Sequence, residues 1–224
     1  MNFIKNLLEK IKQAFKQKPA PVIAAPVEEV KPPVEVVNPD RGSLAWYEQQ
    51  YKEAFISDNN ALKSRVQWYV KKILPNIGRY QEVEKKTNVP WYLVAAIHGL
   101  EASFDFNTCL HNGDPLGQKT VHVPDGRGPF FTWEAAAIDS LGYEGATKIK
   151  NWSLGQCLKF AENYNGMGYF NKGLMSPYLW SCSTKYSGYG KYVRDHVYDP
   201  NAQDDQCGVA TMFKELEKQG LVRF

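Results

Sequence analysis

Glu101 stands directly after VAAIHGL, an apolar run that would carry it into the interior. Burying an unpaired carboxylate is costly, so this residue needs a partner or a purpose. Apolar walls disfavour the ionised form, raise the pKa and keep a proton on the group near neutral pH. A carboxyl in that state suits general acid catalysis on a glycosidic oxygen. Downstream, Asp105, His111, Asn112, Asp114 and Thr120 fall in one polar stretch. A second carboxylate or polar pair from it, held opposite Glu101, would activate water on the far face of a sugar. The structural alternative for Glu101 is a buried ion pair with Lys or Arg, or a bond to a backbone amide.

The four histidines raise the question of a metal. His98 and Glu101 lie three apart, and His111 and His122 follow, which makes no H-E-x-x-H pattern and comes with no Cys-x-x-Cys. A helical histidine such as His98 more often satisfies a core hydrogen bond, so no metal and no cofactor is expected. Cys109, Cys157, Cys182 and Cys207 allow three pairings. Cys157 shares an apolar stripe with Leu154, Leu158 and Ala161, which reads as a buried thiol.

Aromatic residues crowd the region after 160: Tyr164, Tyr169, Phe170, Tyr178, Trp180, Tyr186, Tyr189 and Tyr192. Sugars stack their C–H faces on rings while polar groups fix the hydroxyls. About half of these rings are expected to face a groove and the rest to be core.

The elements that must position these residues are helical. Ser43 caps a helix carrying Leu44, Tyr47, Tyr51 and Phe55 on one side, and Asp58 caps the next, which Pro75 stops. A short charged helix covers about 79–87, and Pro90 opens PWYLVAAIHGLEAS, the most apolar helix. Residues 105–131 form a loop rich in Gly, Pro, Asn and Asp, a length that in a compact domain tends to be functional. Thr132 and Ser153 cap two further helices, and Asp205 or Gln206 leads into a last one closed by Gly220. QKTVHV at 118–123 alternates weakly and is the expected arm of a small hairpin. The fold class is therefore mostly α, one domain over 43–224 with at most a small β-hairpin.

The chain has 224 residues, 43% hydrophobic and 23% charged, which excludes disordered, collagenous and coiled-coil proteins. No apolar run reaches the roughly 20 residues that cross a bilayer. The net charge of +3 is uneven: residues 1–18 carry five Lys and one Glu, whereas residues 40–224 are nearly balanced. Nucleic acid is not an expected partner. Phe3, Ile4, Leu7, Leu8, Ile11 and Phe15 recur at helical spacing among Lys5, Lys10, Lys12 and Lys16. Residues 1–18 thus read as a basic amphipathic helix for an anionic membrane surface, a virion or another partner protein. Residues 19–42 read as a linker, with six prolines in 19–39.

Several ordered motifs resemble the lysozyme-like superfamily, and within it a group of phage and bacterial lysozyme-type cell-wall hydrolases. They are the helix end from His98 to Asn107, His111 to Leu116, Thr120 to Pro124, and Pro129 to Glu134. NYNGMGYFNKG at 163–173, SPYLW at 176–180, GKYV at 190–193 and YDPNAQDDQCG at 198–208 continue the likeness. It covers roughly residues 60–215. The resemblance implies a lysozyme-like domain cleaving the β-1,4 bond between N-acetylmuramic acid and N-acetylglucosamine in peptidoglycan. Glu101 matches the catalytic acid. Asp114 and Thr120, six apart, match the Asp and Thr that hold the nucleophilic water in phage lysozymes, with Asp105 as the rival carboxylate. Tyr164-Asn165-Gly166 resembles a turn beside the cleaved bond in goose-type lysozymes and lytic transglycosylases. Ser103, His111, Tyr164, Asn165, Tyr169, Tyr178 and Trp180 form the expected glycan-binding set.

The resemblance further implies a phage endolysin or virion-carried lysin, a monomer with no cofactor. It would reside in the host cytoplasm before release and act in the periplasm or cell wall, or travel in the virion. A lytic transglycosylase giving 1,6-anhydro products is the enzymatic alternative. A non-catalytic glycan-binding or structural virion module is the other, against which Glu101, Asp114 and Thr120 argue together.

Overall fold

Apolar spacing and side-chain caps set most of the helices. The computed structural model describes residues 39–194 and 196–224; the expected helix over 1–18 and most of the linker lie outside these. Helix α1 is Leu44–Glu53, α2 Asn60–Ile73, α3 Ile77–Thr87, α4 Trp91–Ala102 and α5 Trp133–Tyr143. Then come α6 Leu154–Asn165, the single turns α7 Gly168–Asn171 and α8 Pro177–Trp180, the hairpin β1 Tyr189–Arg194 and β2 Val197–Gln203, and α9 Val209–Lys218. The protein is mostly helical, with one two-stranded antiparallel sheet among the described residues. None of the described helices is long and apolar enough to cross a membrane.

Ser43, Thr132 and Ser153 cap α1, α5 and α6, each side-chain oxygen accepting the amide three residues on. The α2 cap is Asn59, which takes the amides of Ala61 and Leu62, and not Asp58, whose carboxylate pairs with Lys63. Helix α9 starts later than expected, after Gly208. A Cβ at Gly208 would lie 2.3 Å from the Leu179 carbonyl oxygen, so that close approach requires glycine. The linker also ends earlier than expected. Arg41 donates to the carbonyls of Gly173 and Leu174 at 3.0 and 2.8 Å and lies over the rings of Trp46 and Phe170. Residues 40–42 therefore belong to the body.

Helix α4 is the axis of the core. Every residue from Leu93 to Leu100 is buried, and the helix packs against α2, α3, α6 and α9. Helices α1 and α6 are joined through Tyr47, whose hydroxyl donates to the Glu162 carboxyl at 2.5 Å, both residues being buried. Burial raises the pKa of each, with the hydrogen bond to Tyr47 opposing the shift of Glu162. All four cysteines are buried free thiols, and burial pushes Cys157 up to about 12.

The hairpin lies at 189–203, a stretch without a strand signal, and not at 118–123. Asp114 explains the absence of a strand at the expected place. Its carboxylate takes the amides of Val121 and His122 at 2.8 and 3.0 Å, the donors a ladder would need, and leaves Val121 and Val123 exposed. The real hairpin pairs Tyr192 with Tyr198 and Lys191 with Asp199, with register shifts at either side.

Candidate active site

Glu101 occupies the last turn of α4, and the chain leaves that helix abruptly. Ser103 and Phe104 have φ of +49° and +64°, a left-handed pair that few non-glycine residues adopt. The turn lets the Phe104 ring fold back onto α4. Gly99 makes room for it: a Cβ there would lie 2.4 Å from Phe104 Cζ. His98, fully buried, holds the same turn. Its Nε2 lies 3.2 Å from the Asp105 carbonyl and its Nδ1 lies 3.1 Å from the Tyr80 hydroxyl. A carbonyl only accepts, so Nε2 carries the proton and Nδ1 accepts from Tyr80. Rings of Tyr80, Phe104, Phe106 and Trp133 surround the imidazole, and burial lowers its pKa to about 4. His98 is thus a neutral core residue that fixes the residues after Glu101. Gln206 adds a bond from its side-chain amide to the Leu100 carbonyl, 3.1 Å.

One other element contacts the Glu101 carboxyl. Tyr178, in α8, donates its hydroxyl to Glu101 Oε1 at 2.8 Å. Tyr164, in the last turn of α6, lies with its hydroxyl 2.8 Å from Ser140 Oγ of α5 and donates a longer bond to the Leu110 carbonyl. Glu144, at the C-terminal end of α5, supplies the negative charge that acts on this group. Burial holds the Glu101 pKa above the usual carboxylate range, the Tyr178 bond opposes that, and the Glu144 charge adds to it. Burial also raises both phenols, most strongly Tyr178. The result is a carboxyl disposed to keep a proton, aimed by a phenol that cannot itself ionise near neutrality.

Asp114 and Thr120 are not joined to this group by any hydrogen bond among the described residues. Asp114 is buried and holds His122 Nδ1 at 2.6 Å besides the amides of Val121 and His122, and these contacts lower its pKa. Thr120, also buried, donates to the Pro124 carbonyl at 2.7 Å and accepts the Arg127 amide at 3.0 Å. Together they staple the long loop. Asp105 serves its own turn, one carboxylate oxygen taking the Asn107 amide and side chain at 2.9 Å each.

The expected glycan-binding residues divide by exposure. Trp180 is 0% exposed, and Tyr169 is buried with its hydroxyl accepting the Tyr192 amide, so neither offers a ring face to a sugar. His111 is likewise turned inward, its Nε2 2.8 Å from Asp139, which also takes a two-pronged bond from Arg127. Tyr178 reaches the site through its hydroxyl only. Ser103 and Asn165 are exposed, and Tyr164 is half-buried beside the carboxyl. A surface cavity of about 490 Å³ opens at Asn165 and continues past Gly168 to Tyr192, Arg194 and His196 on the hairpin.

The sequence reading missed Ser140, Glu144 and Asp139. Their spacing on one helix was visible: Ser140 and Glu144, four apart, share a face, and Asp139 adjoins it. Among the described residues no cluster of His, Cys, Asp and Glu is arranged to hold a metal ion. Comparison with protein-family models, with curated proteins and with solved structures gives no match to this chain.

Proposed function

We propose that this protein is a lysozyme-type glycosidase with a lysozyme-like catalytic domain, cleaving the β-1,4 bond between N-acetylmuramic acid and N-acetylglucosamine in peptidoglycan. The observation that carries the reading is the Glu101 carboxyl, walled in at the end of the core helix, held by the Tyr178 hydroxyl and raised in pKa. The ordered motifs from His98 to Gly208 support it. In the reaction Glu101 gives its proton to the glycosidic oxygen as that oxygen leaves the anomeric carbon. Tyr178 keeps the carboxyl oriented, and the cavity that opens at Asn165, the residue after Tyr164, is the proposed path of the glycan strand. No cofactor takes part.

Glu101→Gln keeps the shape and removes the proton. It should lower cleavage of purified peptidoglycan by on the order of 10²-fold or more without unfolding the protein. Near-normal turnover in that variant would sink the assignment of Glu101, whereas no cleavage by the wild type would leave a non-catalytic glycan-binding or virion module.

A second reading is favoured by the engagement of Asp114 and Thr120 inside their loop. In a lytic transglycosylase no water needs holding. Glu101 first protonates the leaving oxygen and then takes the proton of the sugar hydroxyl that attacks, closing a 1,6-anhydro ring.

Residues 1–18 and the proline-rich segment are proposed to bring this body to an anionic membrane surface or a partner protein at the cell wall. A chain starting at residue 40 should cleave purified wall at a similar rate and lose binding to anionic vesicles. Loss of solubility or activity on purified wall would place the segment in the core.

A further inference from the structure

The outer face of α2 carries more ring surface than a solvated helix needs. Val66, Tyr69, Val70 and Ile73 turn into the core, and the opposite stripe holds Asn60, Lys63, Ser64, Gln67, Trp68 and Lys71, all exposed. Trp68 is 46% exposed, yet its indole is held: its centroid lies 5.0 Å from the Tyr69 ring and 5.9 Å from Phe104. The Lys72 ammonium sits 5.5 Å over it. Phe55, just before the helix, is 67% exposed on backbone pinned from two sides. Its amide donates to Thr184 Oγ1 at 3.1 Å and its carbonyl accepts the Thr184 amide at 2.9 Å. Rings fixed in water gain by being covered, and a ligand that covers them finds them already ordered.

Two adjoining cavities contain these rings. One, of about 410 Å³, lies between Phe55, Ile56 and Val66 and the lysines Lys63, Lys214 and Lys218, the last two from α9. The other, of about 510 Å³, follows the α2 stripe from Asn60 to Lys71, and Lys63 and Gln67 line both. From the helix rise the stripe is about 16 Å long. The acidic lining residue, Glu215, is buried and engaged by Gln67, Gln219 and Lys218 at 2.7, 2.9 and 3.8 Å. Asp58, outside the lining, pairs with Lys63. The cavities thus present Lys63, Lys71, Lys214 and Lys218 on a body whose charges otherwise nearly cancel.

The mixture of groups selects the occupant. A lipid surface calls for aliphatic tips, whereas here the amides of Asn60 and Gln67 and the hydroxyl of Ser64 alternate with rings and ammonium groups. Rings stack on the C–H faces of sugars, and amides and hydroxyls bond their hydroxyl groups. Lysines complement the free carboxylates of the peptides that N-acetylmuramic acid carries. We propose that the α2–α9 face is a second peptidoglycan-binding site, which holds the protein on the wall by a strand other than the one at Glu101. None of its lining residues belongs to the Glu101 group. The choice of ligand rests on the glycosidase reading.

The test uses the full chain carrying E101Q, which leaves the wall uncut, and measures co-sedimentation with insoluble purified peptidoglycan. F55S/W68S and K63Q/K71Q are added to it, each checked by melting temperature. Both should bind the wall roughly tenfold more weakly, and the lysine pair should also flatten the salt dependence. With Glu101 restored, both should cleave a short soluble glycan at the wild-type rate and intact wall more slowly. Wall affinity within about twofold of the parent in either variant would overturn the site. So would an equal loss of binding to phosphatidylglycerol vesicles, which would make the face a lipid surface, or an equal loss of turnover on the short glycan. If the native chain cuts nothing while both variants still weaken wall binding, the glycosidase reading fails and the second site stands.

Discussion

His98 links the position of Glu101 to pH, and the size of that link follows from its burial. The imidazole is neutral in the fold, with a pKa of about 4 against 6.5 for an exposed histidine. A group whose folded pKa is depressed contributes stability that is complete above its unfolded pKa and is lost as pH falls toward the folded value. The window is therefore pH 6.5 down to 4. With 1.36 kcal/mol per pKa unit, His98 alone removes about 3 kcal/mol of stability by pH 4. Carboxyls with raised pKa, Glu101, Glu144, Glu162 and Asp204, act in the opposite sense over acidic pH, so the wild-type curve alone is not the readout. His98→Gln supplies the reference, because its side-chain amide can still donate to the Asp105 carbonyl and accept from Tyr80 without titrating. Urea unfolding of both proteins between pH 7.5 and 4 gives the difference. The wild type should lose about 3 kcal/mol relative to the variant across that range. A difference that stays constant with pH would refute a buried, neutral His98, and with it the account of how the turn after Glu101 is held.

Tyr178→Phe removes the donor that favours ionised Glu101. The alkaline limb of the kcat–pH profile should move to higher pH, and kcat should fall by roughly tenfold or more as the carboxyl loses its orientation; an unchanged profile would remove Tyr178 from the site. Tyr47→Phe leaves the buried Glu162 carboxyl without its partner and should cost about 1–3 kcal/mol in urea unfolding, with little change in kcat. A neutral effect on stability would mean that water replaces the phenol.

How much of this could be read from residues alone depends on the distance over which each signal acts. Helix periodicity and caps are local, and Ser43, Thr132, Ser153 and the apolar run before Glu101 placed their helices within a residue or so. His98 as a core histidine followed from its place in that run. The hairpin did not, because whether a segment pairs depends on which amides are still free. Asp114 withdraws two of them at 121 and 122, a contact across a loop. The same contact hid the loop role of Asp114 and Thr120, whose six-residue spacing looks alike whether it holds a water or the loop itself. Trp180 and Tyr169 illustrate a different limit. A ring-rich segment offers both core and groove residues, and only packing against neighbouring elements sorts them. Ser140 escaped because its partner Tyr164 comes from another helix, and spacing along α5 does not say which helix it meets.

End-group analysis of wall fragments by mass spectrometry tests the central claim most directly. Purified peptidoglycan digested with the wild-type protein should yield disaccharide-peptides ending in reducing N-acetylmuramic acid, with the mass of one added water at every cut. Fragments ending in 1,6-anhydro sugar would contradict hydrolysis, and an intact glycan strand would contradict the assignment of Glu101 as a glycosidic acid.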